Sequence, residues 1–154
     1  MKITILTIGK FDKSPLLELY NFYHKKLKIK VDLIEVEVKI SNNFEISKIK
    51  NLEASCLKKY FPKFQKIIAL DEKGDEYSSQ KFAKLLDNFA TNSTSEILVV
   101  IGGAYGLDDD IKKQADLIIS LSKMTFPHLL ARVILIEQIY RAYLINQNHP
   151  YHKD

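Results

Sequence analysis

The stretch DLIISLSKMTFPHLLARVILIEQIYRAYLI, residues 116–145, decides the fold. Its opening, DLIISLS (116–122), is a short apolar run of the kind a buried strand makes. The stretch from His128 on is nearly all apolar and too long for a strand. It carries Arg132, Glu137 and Arg141 at helical spacing, and it predicts a helix to about Gln147. Between them lies SKMTFPH, Ser122 to His128. A strand that passes through a polar, proline-closed loop into a helix is one step of an alternating chain. The rest of the sequence can be tested for the same period.

It repeats outward in both directions. KITILTIG (2–9) alternates and then runs apolar, as a strand does. Ser14-Pro15 starts a helix, with Ser as N-cap and Pro in the first turn, expected to reach about Lys28. VDLIEVEV (31–38) alternates strictly and reads as a strand near a sheet edge. After the Asn42-Asn43 turn, a lysine-dotted helix is expected from Glu45 to Tyr60, with Pro62 beyond it. KIIALD (66–71) is a short buried strand and EKGDEYSS a loop. Ser78 or Ser79 caps the helix QKFAKLLDNFA, which the polar run TNSTS ends. EILVVIGG (96–103) is the most apolar strand and is expected at the sheet centre. A short helix, Asp109 to Gln114, leads back to the opening stretch. Strands alternating with helices, without repeat or linker, predict one α/β domain over 1–154. Its sheet is mostly parallel, with flanking helices.

Composition narrows the class. The chain has 154 residues, 46% of them hydrophobic, enough for a real core. No apolar run reaches the ~18 residues of a membrane span. The N-terminus lacks the cleavage site of a signal peptide. A lone cysteine, Cys56, precludes an internal disulfide and suits a reducing cytoplasm, where it reads as a small core residue. Residues 1–66 hold 14 lysines against 7 acids; residues 67–154 hold 7 lysines and 2 arginines against 12 acids. A basic half suits a phosphate-rich partner; a merely solvated lysine surface is the alternative.

In open α/β sheets ligands sit at the carboxyl ends of strands. Three segments fall there: Leu70-Asp71-Glu72, Gly102 to Gly106, and Ser122 to Pro127. The glycines let backbone approach a ligand, or they only make a tight turn. The spacing is GGxxG rather than GxGxxG, and no GK[ST] is present, so neither a dinucleotide fingerprint nor a P-loop is supported. His24, His128, His149 and His152 lack metal-ligand spacing, and no metal is expected. The last helix is apolar almost all round. That calls for burial on both sides and predicts a homodimer built partly on it. Glu137 and Arg141 are four apart and can pair, as can His128 and Arg132. The tail NHPYHKD is either a frayed end or a flap carrying Tyr151, His152 and Lys153 over a site for a base and phosphates.

Four segments in order, VVIGGAYGL, SLSKMTFPH, ARVILIEQIYRA and the closing NHPYHK, resemble the RlmH family of large-subunit (23S) ribosomal RNA pseudouridine N3-methyltransferases, of the SPOUT superfamily. The resemblance covers the whole chain. It implies a C-terminal trefoil knot and a bent S-adenosylmethionine held by Leu70, by Gly102 and Gly103, and by Leu121, Ser122, Lys123, Met124, Thr125 and Phe126. It implies a cytoplasmic enzyme acting on ribosomal RNA or the assembled ribosome, with no membrane or metal partner. The nucleotide's N3 must lose a proton, and a nearby cation would stabilise the anion. Arg132, Arg141, His128 and His152 are the candidates. Arg132 and the pair Tyr151–His152 are expected on substrate, His128 as a base, and Glu137 as the group orienting Arg141. Lys25, Lys26, Lys28 and Lys30 are expected on RNA phosphates, and the site is expected to be shared between subunits. An RNA-binding domain without catalysis and a flavodoxin-like small-molecule enzyme are the alternatives. The first would have spoiled the glycine loop or the tail; the second would need neither the basic half nor the tail.

Overall fold

The computed structural model describes residues 1–153; Asp154 lies outside the described residues. Five strands form one parallel sheet: β1 Lys2–Ile8, β2 Lys30–Val36, β3 Lys66–Glu76, β4 Glu96–Ile101 and β5 Leu117–Ser120. Their order is β2-β1-β4-β3-β5, so β2 is at an edge and β4 at the centre, as their sequences suggested. The helices are α1 Pro15–His24, α2 Ile46–Lys58, α3 Ser79–Thr91, α4 Asp109–Gln114 and α5 His128–Asn146. A single 3-10 turn, Phe61–Lys63, follows α2.

Two cores flank the sheet. Tyr20 of α1, Phe82 and Leu86 of α3, and Val133, Ile136 and Ile139 of α5 pack on one face. Ala54 and Leu57 of α2, Phe61 and Ile111 of α4 pack on the other. Direction and face switch together along the chain. The steps β1 to β2 and β3 to β4 move one way with their helices on the first face. The steps β2 to β3 and β4 to β5 move the other way with theirs on the second. All four crossovers therefore share one hand, as twisted parallel strands require.

Two expectations need correction. The first helix ends at His24, not Lys28. His24 Nε2 lies 2.7 Å from the Val31 carbonyl and its ring stacks on Tyr20, so the chain is already turning into β2. The loop placed at EKGDEYSS is partly strand. Leu70 and Asp75 both pair with Ile119, so residues 71–74 bulge out and β3 resumes to Glu76. Gly74 makes this possible, because a Cβ there would sit 2.7 Å from the Ile118 backbone. The burial on both sides that led from α5 to a second copy is met in part within the chain. α1 and α3 both lie against α5 on the first face of the sheet.

The ends of the helices decide where side chains arrive. The Ser78 hydroxyl accepts from the Lys81 N–H and starts α3. At the end of α5, Asn148 takes a left-handed conformation (φ 54°) and the His149 N–H donates to the Leu144 carbonyl. That stop turns the tail back onto the helix instead of leaving it frayed.

Candidate active site

A cavity of about 370 Å³ opens at the carboxyl ends of β3, β4 and β5. That is within the usual range for a small-molecule site. Leu70 and the Asp71–Lys73 bulge form one wall. Gly102, Gly103 and the turn to Leu107 form a second. Leu121, Ser122, Met124, Thr125 and Phe126 form the third, with His128 and Ala131 from α5 behind them. Eight of the nine residues expected to hold a cofactor thus converge. Lys123 does not: it is exposed and outside the lining.

The loops are tied before any ligand arrives. The Ser122 hydroxyl accepts from the Met124 N–H, and Ser120 Oγ donates to the Ser122 carbonyl. Thr125 donates to Glu72 at 2.6 Å, clasping the third wall to the first. Asp71 accepts from the Lys73 N–H and pairs with Lys112. Met124 is 75% exposed and Tyr105 50% exposed, which leaves two large side chains at the mouth.

Of the two readings open for the glycines, the geometry favours the tight turn. A Cβ at Gly102 would meet the Gly106 carbonyl carbon at 2.6 Å, and one at Gly103 would meet Glu53 Oε1 at 2.6 Å. Both missing side chains face protein, so they permit a tight turn rather than the approach of a ligand. Gly106 has φ +77° and donates its N–H to the Gly103 carbonyl. The turn's backbone then faces the cavity.

Arg132 is not in the cavity. Its side chain is fully buried; Nη2 donates to the carbonyls of Ile8 (2.6 Å) and Gly9 (3.0 Å), and Nη1 pairs with Glu35 at 3.2 Å. Glu35 also accepts the Phe11 N–H, and the guanidinium stacks over the Phe11 ring. This arginine fastens the end of β1 to β2 and α5. The expectation that it touches substrate is corrected by that geometry, since no face of it is open.

His128 lines the cavity, and burial, aided by the Arg132 charge, lowers its pKa. At neutral pH it is a free imidazole able to accept a proton.

The remaining expected residues meet elsewhere. Arg141 donates to Glu137 Oε1 through Nε (3.0 Å) and Nη2 (2.7 Å). The Tyr151 hydroxyl donates to the same oxygen, and its ring packs on Tyr140 and under Arg141. Arg141 Nη1 lies 3.3 Å from His152 Nδ1; an arginine only donates, so that nitrogen accepts. Burial, then the Glu137 charge, push the Tyr151 hydroxyl up to about 12. Glu137 thus does orient Arg141. Two members of this cluster were not expected from the sequence: Ser79, read there only as a possible cap, donates to Gln138 Oε1 (2.6 Å), which turns the amide so that Nε2 donates to Glu137 Oε2 (2.7 Å). Only the adjacency of Gln138 to Glu137 could have hinted at it.

This cluster is remote from the cavity in the same chain. Arg141 lies ten residues beyond Ala131 on α5, about 15 Å along the helix axis at 1.5 Å per residue. Tyr23, near the end of α1, packs at a tilt against Tyr140, so the cluster sits toward the amino ends of the strands. The exposed Lys25, Lys26, Lys28 and Lys30 lie at that end too.

Among the described residues no group of three His, Cys, Asp or Glu could hold a metal ion. Among them, too, no helix is long and apolar enough to cross a membrane.

The profile of the family described as "Predicted SPOUT methyltransferase" matches residues 1–152. A protein of Exiguobacterium sp. named ribosomal RNA large subunit methyltransferase H is 41% identical over 159 residues, covering 99% of this chain and 100% of that one. A protein of the same name from Syntrophotalea carbinolica is 38% identical, with 99% of each chain covered. Among solved structures, a probable methyltransferase from Bordetella pertussis superposes with a TM-score of 0.61 at 10% identity, over 92% of this chain and 95% of that chain. At that identity the likeness speaks for the fold alone.

Proposed function

Because this chain belongs to the SPOUT methyltransferases, and within them to the ribosomal RNA large subunit methyltransferase H family, we propose that it methylates N3 of a pseudouridine in large-subunit ribosomal RNA, on the assembled ribosome in the cytoplasm. The observation that carries this is the cavity enclosed by three backbone segments at the strand ends. Its walls suit S-adenosylmethionine. Leu70, Leu121 and Phe126 offer apolar surface, backbone groups line the glycine turn, and the carboxylates of Asp71 and Glu72 stand where hydroxyls or an ammonium could be met. The cofactor would supply the methyl group from its sulfonium. The residues of the chain align the two reactants, remove a proton and balance charge.

His128 takes the N3 proton; it lines the cavity and is uncharged at neutral pH. The cation beside the developing anion is Arg141, held by Glu137 with Tyr151 and His152. Since that cluster and the cavity lie at different ends of one chain, the working site is composite, with the cluster supplied by a second copy. A stripe on α5 supports that reading: Leu130, Ile134, Glu137 and Arg141 follow the four-three-four spacing of helix pairing and are only half-buried. Lys25, Lys26, Lys28 and Lys30 beside the cluster would meet RNA phosphates. The knotted threading typical of the superfamily is proposed for α5, which lies between α1 and α3.

A methyl-transfer assay with labelled S-adenosylmethionine, comparing assembled ribosomes, isolated subunits and naked RNA, tests the reading; no incorporation into any of them removes it. Sedimentation should give twice the 17.8 kDa chain mass, and a monomer at micromolar concentration would remove the composite site.

A further inference from the structure

Glu53 is the one acidic residue fully buried among the described residues, at 4% exposure. It projects from α2 beneath the glycine turn. Its Oε1 lies 2.6 Å from where a Cβ at residue 103 would be, so the carboxyl sits against the Gly103 backbone. Its other oxygen, Oε2, has no hydrogen-bond partner. Burial holds the carboxyl above its ordinary range, against the opposing pull of the Gly103 N–H and Lys50. A buried carboxyl with one oxygen unmatched costs stability, and an apolar side chain of similar shape would suit the core better. Departures of this kind gather at functional sites. Here the departure lies directly behind a cavity wall. The other restraints on the turn are made by backbone: the Gly106 N–H to the Gly103 carbonyl and the close approach of Gly102 to Gly106.

We infer that Glu53 is a positioning residue for the cavity: its carboxyl, seated where residue 103 has no side chain and packed against the Gly103 backbone, holds the Gly103–Gly106 turn in the shape that forms the cofactor wall. The inference rests on the cavity being the S-adenosylmethionine site. Two readouts separate the claims: amide hydrogen exchange of the ligand-free protein follows the turn, and calorimetry with S-adenosylmethionine follows the cavity.

Glu53→Ala should speed exchange at residues 102–107 and weaken the cofactor about tenfold. The KM for cofactor should rise while kcat at saturation stays within about twofold. Glu53→Gln keeps an accepting oxygen and should hold affinity within about threefold of the wild type. Gly103→Ala presses a methyl group on the carboxyl and should also cost about tenfold. Combined with Glu53→Ala, the loss should be smaller than the two losses together, because the two sites compete for one space. Unchanged exchange and affinity in Glu53→Ala, or additive losses in the double variant, would overturn the inference. Should Glu53→Ala fail to fold, Gly103→Ala decides: wild-type affinity there overturns it. If the wild type gives no heat with S-adenosylmethionine while Glu53→Ala still loosens the turn, the cofactor reading falls and the Glu53 contact stands.

Discussion

Arg132 and Arg141 stand nine residues apart on α5 and have opposite surroundings. Arg132 has no exposed surface, and its fork is spent on two backbone carbonyls and Glu35. Arg141 is a quarter exposed, and its partners are side chains of its own helix and of the tail. Backbone carbonyls at the end of a central strand cannot move away, so a guanidinium bonded to them is fixed. Side chains on a half-buried surface can exchange partners when RNA arrives. Residue type made both arginines candidates for catalysis; the identity and mobility of the partners divide them.

The sharpest break in this comparison is a stability measurement. Arg132→Ala strands a carboxylate and two carbonyls, and should lower the unfolding free energy in urea by about 3–5 kcal/mol. Arg132→Lys should recover little, since one ammonium cannot span three acceptors. A loss below about 1 kcal/mol combined with lost methyl transfer would return Arg132 to the substrate. The matching variant at the other end is removal of Tyr151 to Asp154. It should lower methyl transfer about a hundredfold or more while cofactor affinity and sedimentation stay as they were. Full activity in the truncated protein would make the tail a mere helix stop.

A smaller effect tests the support behind the second arginine. Gln138→Ala removes the amide that joins Ser79 to Glu137. It should reduce kcat about tenfold, the worth of one hydrogen bond to a charged group, with KM for cofactor unchanged. An unchanged kcat would show that Arg141 alone fixes Glu137. The smallest expected effect is a pH trend at the cavity. The Glu53 carboxyl is raised above its ordinary 4.5 in the folded protein. Its contribution is therefore fully present below that value and is lost as pH rises through the raised one. Melting of the wild type should fall relative to Glu53→Gln as pH climbs from 4.5. The comparison cancels the contribution of His128, whose pKa burial lowers. Parallel melting curves would mean that Glu53 titrates as an ordinary carboxyl.

Much of the layout is written in short-range pattern. Alternation and apolar runs placed all five strands, and Ser14-Pro15, Ser78 and Pro127 marked helix starts within a residue. The rule that ligands gather at strand ends pointed to Leu70-Asp71-Glu72, Gly102 to Gly106 and Ser122 to Pro127, and these line the cavity apart from Lys123 and Pro127. Periods, caps and turns involve neighbours within a few residues, so local sequence alone can specify them. The burial of Arg132, the carboxyl behind Gly103, the bulge in β3 and the distance of the tail from the cavity were settled by contacts between distant parts of the chain. Arg132 meets Glu35 across 97 positions and Ile8 across 124. A polar side chain carries no local mark of its eventual partner. Whether it fastens the core or faces a ligand is decided only when the sheet brings remote segments together and removes water from between them.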